Sequence, residues 1–210
     1  VFMAKQVKRA LSINDIYKMK FTDLEVSEDW EALFGIPECS GVWMIWGHSG
    51  NGKTRFALKL AKELTKTGKV LYNTLEEGAR KSFQRAVKQS YLKGYSRKII
   101  VLNREPIEEM KNRLRRPKAP KIAIIDSFQY SGLTKAQYKE LKEEFPDVLF
   151  IFLSHAEGKH PEGRPAKFVR YDADVKIHID SYIASAVSRY GGGKPYIIWE
   201  EGVKELEGSL

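Results

Sequence analysis

The sequence predicts an α/β protein with a mostly parallel central sheet flanked by helices and a C-terminal β-hairpin. Three observations carry this. Gly47-His48-Ser49-Gly50-Asn51-Gly52-Lys53-Thr54 fits the phosphate-loop pattern G-x-x-x-x-G-K-[ST], between an apolar β-type run and a helix-patterned segment, as that pattern requires. Further apolar runs recur at 70–74, 99–102, 121–126 and 148–153, with helical segments between them. The run at 121–126 is continuous rather than alternating, which suits a strand buried on both faces.

At 210 residues the chain is expected to form one main domain: a core at 36–200, a basic lead-in and cap at 1–35, and a polar tail at 201–210. Its 42% hydrophobic and 30% charged residues are ordinary for a soluble globular chain. No apolar run nears the roughly 18 residues that a membrane span needs. The first ten residues are basic and lack a signal peptide's apolar region. A lone cysteine, Cys39, cannot form an internal disulfide, so a cytoplasmic location is expected. The net charge of +9 points to a polyanionic partner, nucleic acid first; the alternative is a basic surface that only keeps the chain soluble.

Residues 12–19 and 27–34 are predicted helices. Ser27 caps the second, Glu28 and Asp29 suit its first turn, and Gly35 ends it. A turn at 36–41 leads to the strand 42–46 and the phosphate loop. Glycines there let backbone N–H groups crowd around phosphate oxygens, and the following helix adds partial positive charge. Gly47, His48, Ser49, Gly50, Asn51, Gly52, Lys53, Thr54 and Arg55 are therefore the candidate residues for a nucleoside triphosphate. Lys53 is expected to reach the β- and γ-phosphates, and the Thr54 hydroxyl to ligate Mg²⁺. The strand 70–74 runs into Glu76 and Glu77. A carboxylate there can orient the attacking water, with Glu76 placed ahead of Glu77; either also suits a helix start. The helix predicted at 79–93 carries basic residues that form either a solvated face or a binding surface. A strand at 99–102 precedes a helix with Pro106 in its first turn and a basic cluster at 113–118.

The strand 121–127 presents Asp126 at its end, placed to hold Mg²⁺ directly or through water. Phe128 and Tyr130 fall in a loop at 128–133. Thr134 and Gln137 form a capping box for a helix that Pro146 stops. The strand 148–153 ends at Ser154-His155 and opens a long polar loop, 156–170, with Lys159, Arg164, Lys167 and Arg170. Val175, Ile177 and Ile179 alternate as a sixth strand. Segments 182–189 and 196–199 read as a hairpin around 190–195, and the tail after Glu200 is expected to fray. The spacing of His155, Glu157 and His160 is not that of a zinc motif.

In this order the elements resemble the RecA-fold P-loop ATPases, and among them the branch of DnaB-type helicase motors, RadA and KaiC. Residues 70–77 are similar to the strand that ends in that branch's catalytic glutamate, matched at Glu76. Ile125-Asp126-Ser127 resembles its Walker B element, and Ser154-His155 the Ser-Gln that senses the γ-phosphate. Tyr171-Asp172-Ala173-Asp174-Val175 resembles a Gln-Asp-Ala-Asp-Val segment. Ser188-Arg189-Tyr190-Gly191 resembles the Asn-Arg-Asn-Gly turn that gives an arginine finger to a neighbouring subunit. The resemblance covers about 35–200. It implies a Mg²⁺-dependent ATP hydrolase assembled as a ring or filament, with Lys53, Glu76, His155 and Arg189 catalytic. It also implies single-stranded DNA held by the loops after Asp126 and His155, in recombination, repair or replication. Phe128 and Tyr130 would stack on bases, and Lys159, Arg164, Lys167 and Arg170 would neutralise phosphates. There are departures. Histidine replaces glutamine at 155, and Val187 stands where a lysine precedes the finger. The length is expected to leave no room for a helicase N-terminal domain, as in the minimal RecA-like proteins of phages and mobile elements. Two other functions fit the phosphate loop: a regulatory or scaffold ATPase that assembles with protein partners without DNA, and a small-molecule kinase with 156–170 as its lid.

Overall fold

The fold is that of a computed structural model describing residues 9–207. Residues 1–8, most of the segment argued to lack a signal peptide, and the end of the tail, 208–210, lie outside the described residues. The strands are β1 (Gly41–Gly47), β2 (Val70–Thr74), β3 (Ile99–Asn103), β4 (Ile122–Asp126), β5 (Leu149–Glu157), β6 (His160–Pro161), β7 (Val175–Asp180), β8 (Ile183–Ser188) and β9 (Tyr196–Ile197). The helices are α1 (Ile13–Lys18), α2 (Glu28–Phe34), α3 (Lys53–Leu64), α4 (Lys81–Gln89), α5 (Ile107–Leu114), α6 (Lys135–Glu144), α7 (Arg164–Asp172) and α8 (Glu200–Glu207). The strands lie in one sheet in the order β3-β2-β4-β5-β1-β7-β8-β9, and β6 pairs with β5. From β3 to β7 every pairing is parallel; β7–β8 and β8–β9 are antiparallel. The mostly parallel sheet expected from the sequence is present, with its C-terminal antiparallel end.

Alternate residues of each central strand enter two separate cores. Trp43, Ile45, Ile124 and Ile151 pack with residues of α2, α3 and α4. Val42, Met44, Ile125, Phe150 and Phe152 pack with residues of α5, α6 and α7. These strands are buried on both faces, so their apolar runs show no polar alternation. Fully burying a side chain of this kind is worth about 1.5–3 kcal/mol, and these two layers hold helices to sheet. Helix α2, from the segment read as a cap, belongs to the core: Trp30, Leu33 and Phe34 are buried in it. Helix α1 has the capping box Ser12–Asp15 but no buried residue.

The structure corrects two expectations. Residues 156–170 are not a loop. Strand β5 runs on to Glu157, Gly158 turns the chain at φ +59°, β6 pairs back, and α7 begins at Arg164. Pro165 suits the first turn of α7, and Ala166, Val169 and Ala173 supply its core face. Second, the tail after Glu200 is a helix, α8, with Glu200 and Glu201 in its first turn, where acids suit the helix dipole. The hairpin expected from 182–189 and 196–199 is present as β8–β9, and a second, tighter hairpin joins β7 to β8. Its two turn residues, Ser181 and Tyr182, both have positive φ, the backbone that hairpin twist favours, without the Asn-Gly pair that would announce it.

Candidate functional site

Parallel register places the chemistry. Gly47 stands opposite His155 on β1 and β5, and Thr74 opposite Asp126 on β2 and β4. Four loops therefore open along one carboxyl edge of the sheet, where ligands of open α/β sheets bind. They enclose a cleft of about 500 Å³, lined by Lys53, Thr54, Glu76, Asp126 and His155 among others. That size suits a small-molecule ligand.

The phosphate loop runs from β1 into α3. Gly52 caps α3 at φ +94°, and a Cβ there would stand 2.9 Å from the Tyr182 ring. Only glycine serves at that position. Lys53 opens α3, and its Nζ donates to Gly47 O (2.8 Å) and His48 O (2.9 Å), so the ammonium sits within the loop's curve. Burial lowers its pKa, opposed by the carboxylates of Asp126 and Glu76. Asn51 Nδ2 donates to Asp180 Oδ1 (2.9 Å), which ties the loop to the end of β7. His48, Ser49 and Gly50 are exposed. Thr54 is half-buried on the cleft wall.

Asp126 ends β4 largely buried, on the wall of the cleft. Burial pushes its carboxyl up to about 6; the hydrogen bond from Tyr72 OH (2.7 Å) opposes this, and nearby Glu76 adds to it. A carboxylate whose charge burial penalises gains from a cation placed beside it. The next residue, Ser127, has a buried hydroxyl with no hydrogen-bond partner among the described residues. The Thr54 hydroxyl and the Asp126 carboxylate both line the cleft and are oxygen donors of the kind that Mg²⁺ takes.

Glu76 follows β2, in a turn that Arg104 fixes by donating to the carbonyls of Glu76 and Glu77 at 3.0 Å each. Its Oε2 lies 2.9 Å from Nε2 of His155. Two residues singled out separately in the sequence are thus directly bonded. Arg55, at the outer end of the loop, lays its guanidinium 4.4 Å over the Trp199 ring. Arg55 also lines a second, adjoining cleft of about 650 Å³ whose walls include Tyr95, Tyr196 and Trp199. Tyr72, Arg104 and Trp199 carry no motif. Their roles depend on contacts between segments distant in sequence, and no spacing rule reveals them.

The candidate nucleic-acid residues divide. Phe128 is corrected: it is buried edge-on against Phe152 at 5.4 Å and has no free face on which a base can stack. Tyr130, in the same 3₁₀ turn (Phe128–Ser131), is 59% exposed. Lys159 sits at the exposed β5–β6 tip, and Arg164 and Lys167 are exposed on α7, where Lys167 pairs with Glu157 (2.6 Å). Arg170 is half-buried, 4.9 Å over the Trp46 ring. Arg189 is not near the cleft of its own chain. It follows Ser188, which stands opposite Val175 at the start of β7, and it lies 3.5 Å from Asp174. The cleft opens at the other end of these strands, on the order of 15 Å away at about 3.3 Å per residue.

A family model described as RNA helicase matches residues 43–152, more than half of the chain, from within β1 to within β5; this includes Lys53, Thr54, Glu76 and Asp126 of the cleft but not His155. The chain belongs to the RNA helicase family. Among solved structures, this helicase-type chain is similar to one described as an ATPase domain. The TM-score is 0.51 and the identity 17%, over 74% of this chain and 80% of that one. At such identity the likeness speaks for the fold, here the RecA-like P-loop fold. No curated protein matches the chain. Family and fold together make it a helicase-type ATP hydrolase. Among the described residues no helix is long and apolar enough to cross a membrane.

Proposed function

We propose that this protein is a Mg²⁺-dependent ATPase motor that works in an oligomer and couples hydrolysis to single-stranded DNA. The observation that carries the reading is the single cleft shared by Lys53, Thr54, Asp126, Glu76 and His155. In it the loop residues from Gly47 to Arg55 hold the phosphates, with Lys53 on the β- and γ-phosphates. Thr54 and Asp126 hold Mg²⁺, which neutralises charge developing on the phosphates. Glu76 orients the attacking water and takes its proton. His155, bonded to that carboxylate, meets the γ-phosphate and links its presence to the position of Glu76. The base and ribose extend past Arg55 toward Trp199. Arg189 serves the cleft of a neighbouring subunit. Tyr130, Lys159, Arg164, Lys167 and Arg170 form the strand-binding face, without Phe128. We take the working unit to be the sheet and its helices from α2 to α8, with residues 9–21 as a lead-in.

The test is steady-state ATP hydrolysis with and without single-stranded DNA, with Lys53→Ala as the blank. Stimulation that Glu76→Gln abolishes is the expected result; removing a transition-state group of this kind costs about 10²–10³ in kcat. Hydrolysis indifferent to DNA, with no DNA retained at moderate salt, sinks the motor reading in favour of a regulatory ATPase that assembles with proteins. RNA as the strand is the second reading, favoured by the description of the family. The same assay run with RNA decides between the two.

A further inference from the structure

Two side chains tether the β5–β6 hairpin to the rim of the cleft, and none of the roles above accounts for them. Gln129 lies three residues after Asp126. Its Nε2 donates to Ser154 Oγ (2.8 Å) and to Glu162 O (3.0 Å), and its Oε1 accepts from the backbone N–H of His155 (3.3 Å). One amide thus joins the turn after β4, the end of β5 and the start of the segment leading into α7. Trp46 immediately precedes the phosphate loop, and its Nε1 donates to Lys159 O at the hairpin tip (3.2 Å). Its ring contacts Arg170 of α7 (4.9 Å) and His178 of β7 (5.4 Å). The hairpin and α7 are therefore fastened at two points. One fastening belongs to the strand carrying the phosphate loop, and the other to the turn following the candidate metal-binding aspartate.

We propose that Gln129 and Trp46 are positioning residues that couple the nucleotide cleft to the basic surface of the hairpin and α7. This rests on the motor reading above. The bonds from Gln129 and Trp46 to the hairpin carbonyls are 3.0 and 3.2 Å long, and hydrogen bonds of this length fail within a further shift of about 0.5 Å. Any displacement of His155 on meeting a γ-phosphate is felt at Gln129 through the bonded backbone N–H, and at Glu162 through the same amide. Two tethers that hold in one arrangement and release in another give the discrete element that coupling between sites requires. Coupling of this kind is reciprocal: nucleic acid held on α7 must bias the cleft by the same factor as nucleotide biases α7.

The test uses the full chain with oligo-dT and oligo-U of about 30 nucleotides, long enough to span several single-strand sites. Gln129→Glu keeps an acceptor for His155 N–H and turns a carboxylate toward both Ser154 Oγ and Glu162 O; the Ser154 hydroxyl can rotate to donate to it, but the Glu162 carbonyl cannot, so the hairpin tether is the bond that is lost. Trp46→Phe keeps a ring between Arg170 and His178 and removes the N–H. Two quantities are read: the ratio of stimulated to unstimulated hydrolysis, and the change in oligonucleotide affinity caused by a non-hydrolysable ATP analogue. Both are expected to fall at least about fivefold in each variant, with unstimulated hydrolysis within about twofold of wild type and an unchanged melting temperature. Variants that retain both wild-type values overturn the proposal, as do variants whose losses follow a lowered melting temperature. A wild-type protein indifferent to both oligonucleotides overturns the motor reading and this coupling with it. Stimulation that both variants keep overturns the coupling alone.

Discussion

His178 shows how one side chain reports on its packing. It lies against Trp46, and burial holds its pKa below the ordinary 6.5; Asp180 opposes this, and His48 and Arg170 reinforce it. The folded protein therefore resists a proton that the unfolded chain accepts. The stability this neutral ring permits is complete above about pH 6.5 and is lost as pH falls toward the depressed folded pKa. The melting temperature is accordingly expected to drop between pH 7.5 and 5. His178→Phe, which keeps a ring on Trp46, is expected to make that drop smaller; parallel curves for the two proteins exclude the role. Residues whose chemistry follows from spacing were legible in the sequence. Lys53 was placed by the phosphate-loop pattern, and Glu76, Asp126 and His155 each by a strand end; all line one cleft. Tyr72, Gln129 and Trp46 were not, because each depends on a partner brought near by sheet register.

Among the elements, the Gly191–Gly193 stretch after β8 shows how backbone, rather than side chains, seats a functional segment. Gly193 N–H donates to Leu33 O (2.8 Å) and Lys194 N–H to Ala32 O (2.9 Å), so this stretch lies directly on the end of α2. Gly192 has φ +81°, and a Cβ on it would lie 2.6 Å from Phe34 N and 2.7 Å from Gly35 N. Gly192→Ala therefore meets the backbone at the end of α2 and is expected to cost about 2 kcal/mol or more, lowering the melting temperature by about 4–8 °C. Gly191→Ala, also at positive φ but facing open space, is the comparison and should lose less. Equal losses would mean that φ strain alone acts. The elements that the sequence hid share a cause. Helix α7 begins in a polar, glycine-flanked stretch and reveals its apolar face only from Ala166 onward, and the β7–β8 turn lacks the usual turn residues. The strands buried on both faces were plain, since helices cover them on either side.

For the molecule as a whole, the role proposed for Arg189 is testable as a question of assembly. A subunit that holds Lys53 and Glu76 at one end of the sheet and Arg189 at the other cannot unite them alone. A head-to-tail neighbour can. Lys53→Ala and Arg189→Ala are each expected to be inactive, while an equal mixture regains roughly a quarter of wild-type hydrolysis, from interfaces that pair the intact halves. A mixture no better than its parents removes Arg189 from the site. The sheet order also bears on how the chain is made. Strand β1 has only β5 and β7 as neighbours, and its first partner residue, Leu149, lies more than a hundred residues downstream of Gly41. On the ribosome, the strand that presents the phosphate loop waits without a sheet partner while β2, β3 and β4 emerge and pair among themselves. Such long-range closure is slow and leaves apolar strand edges uncovered meanwhile. Among the described strands, the one that carries the phosphate loop thus has the longest stretch of chain to wait for before a sheet partner exists.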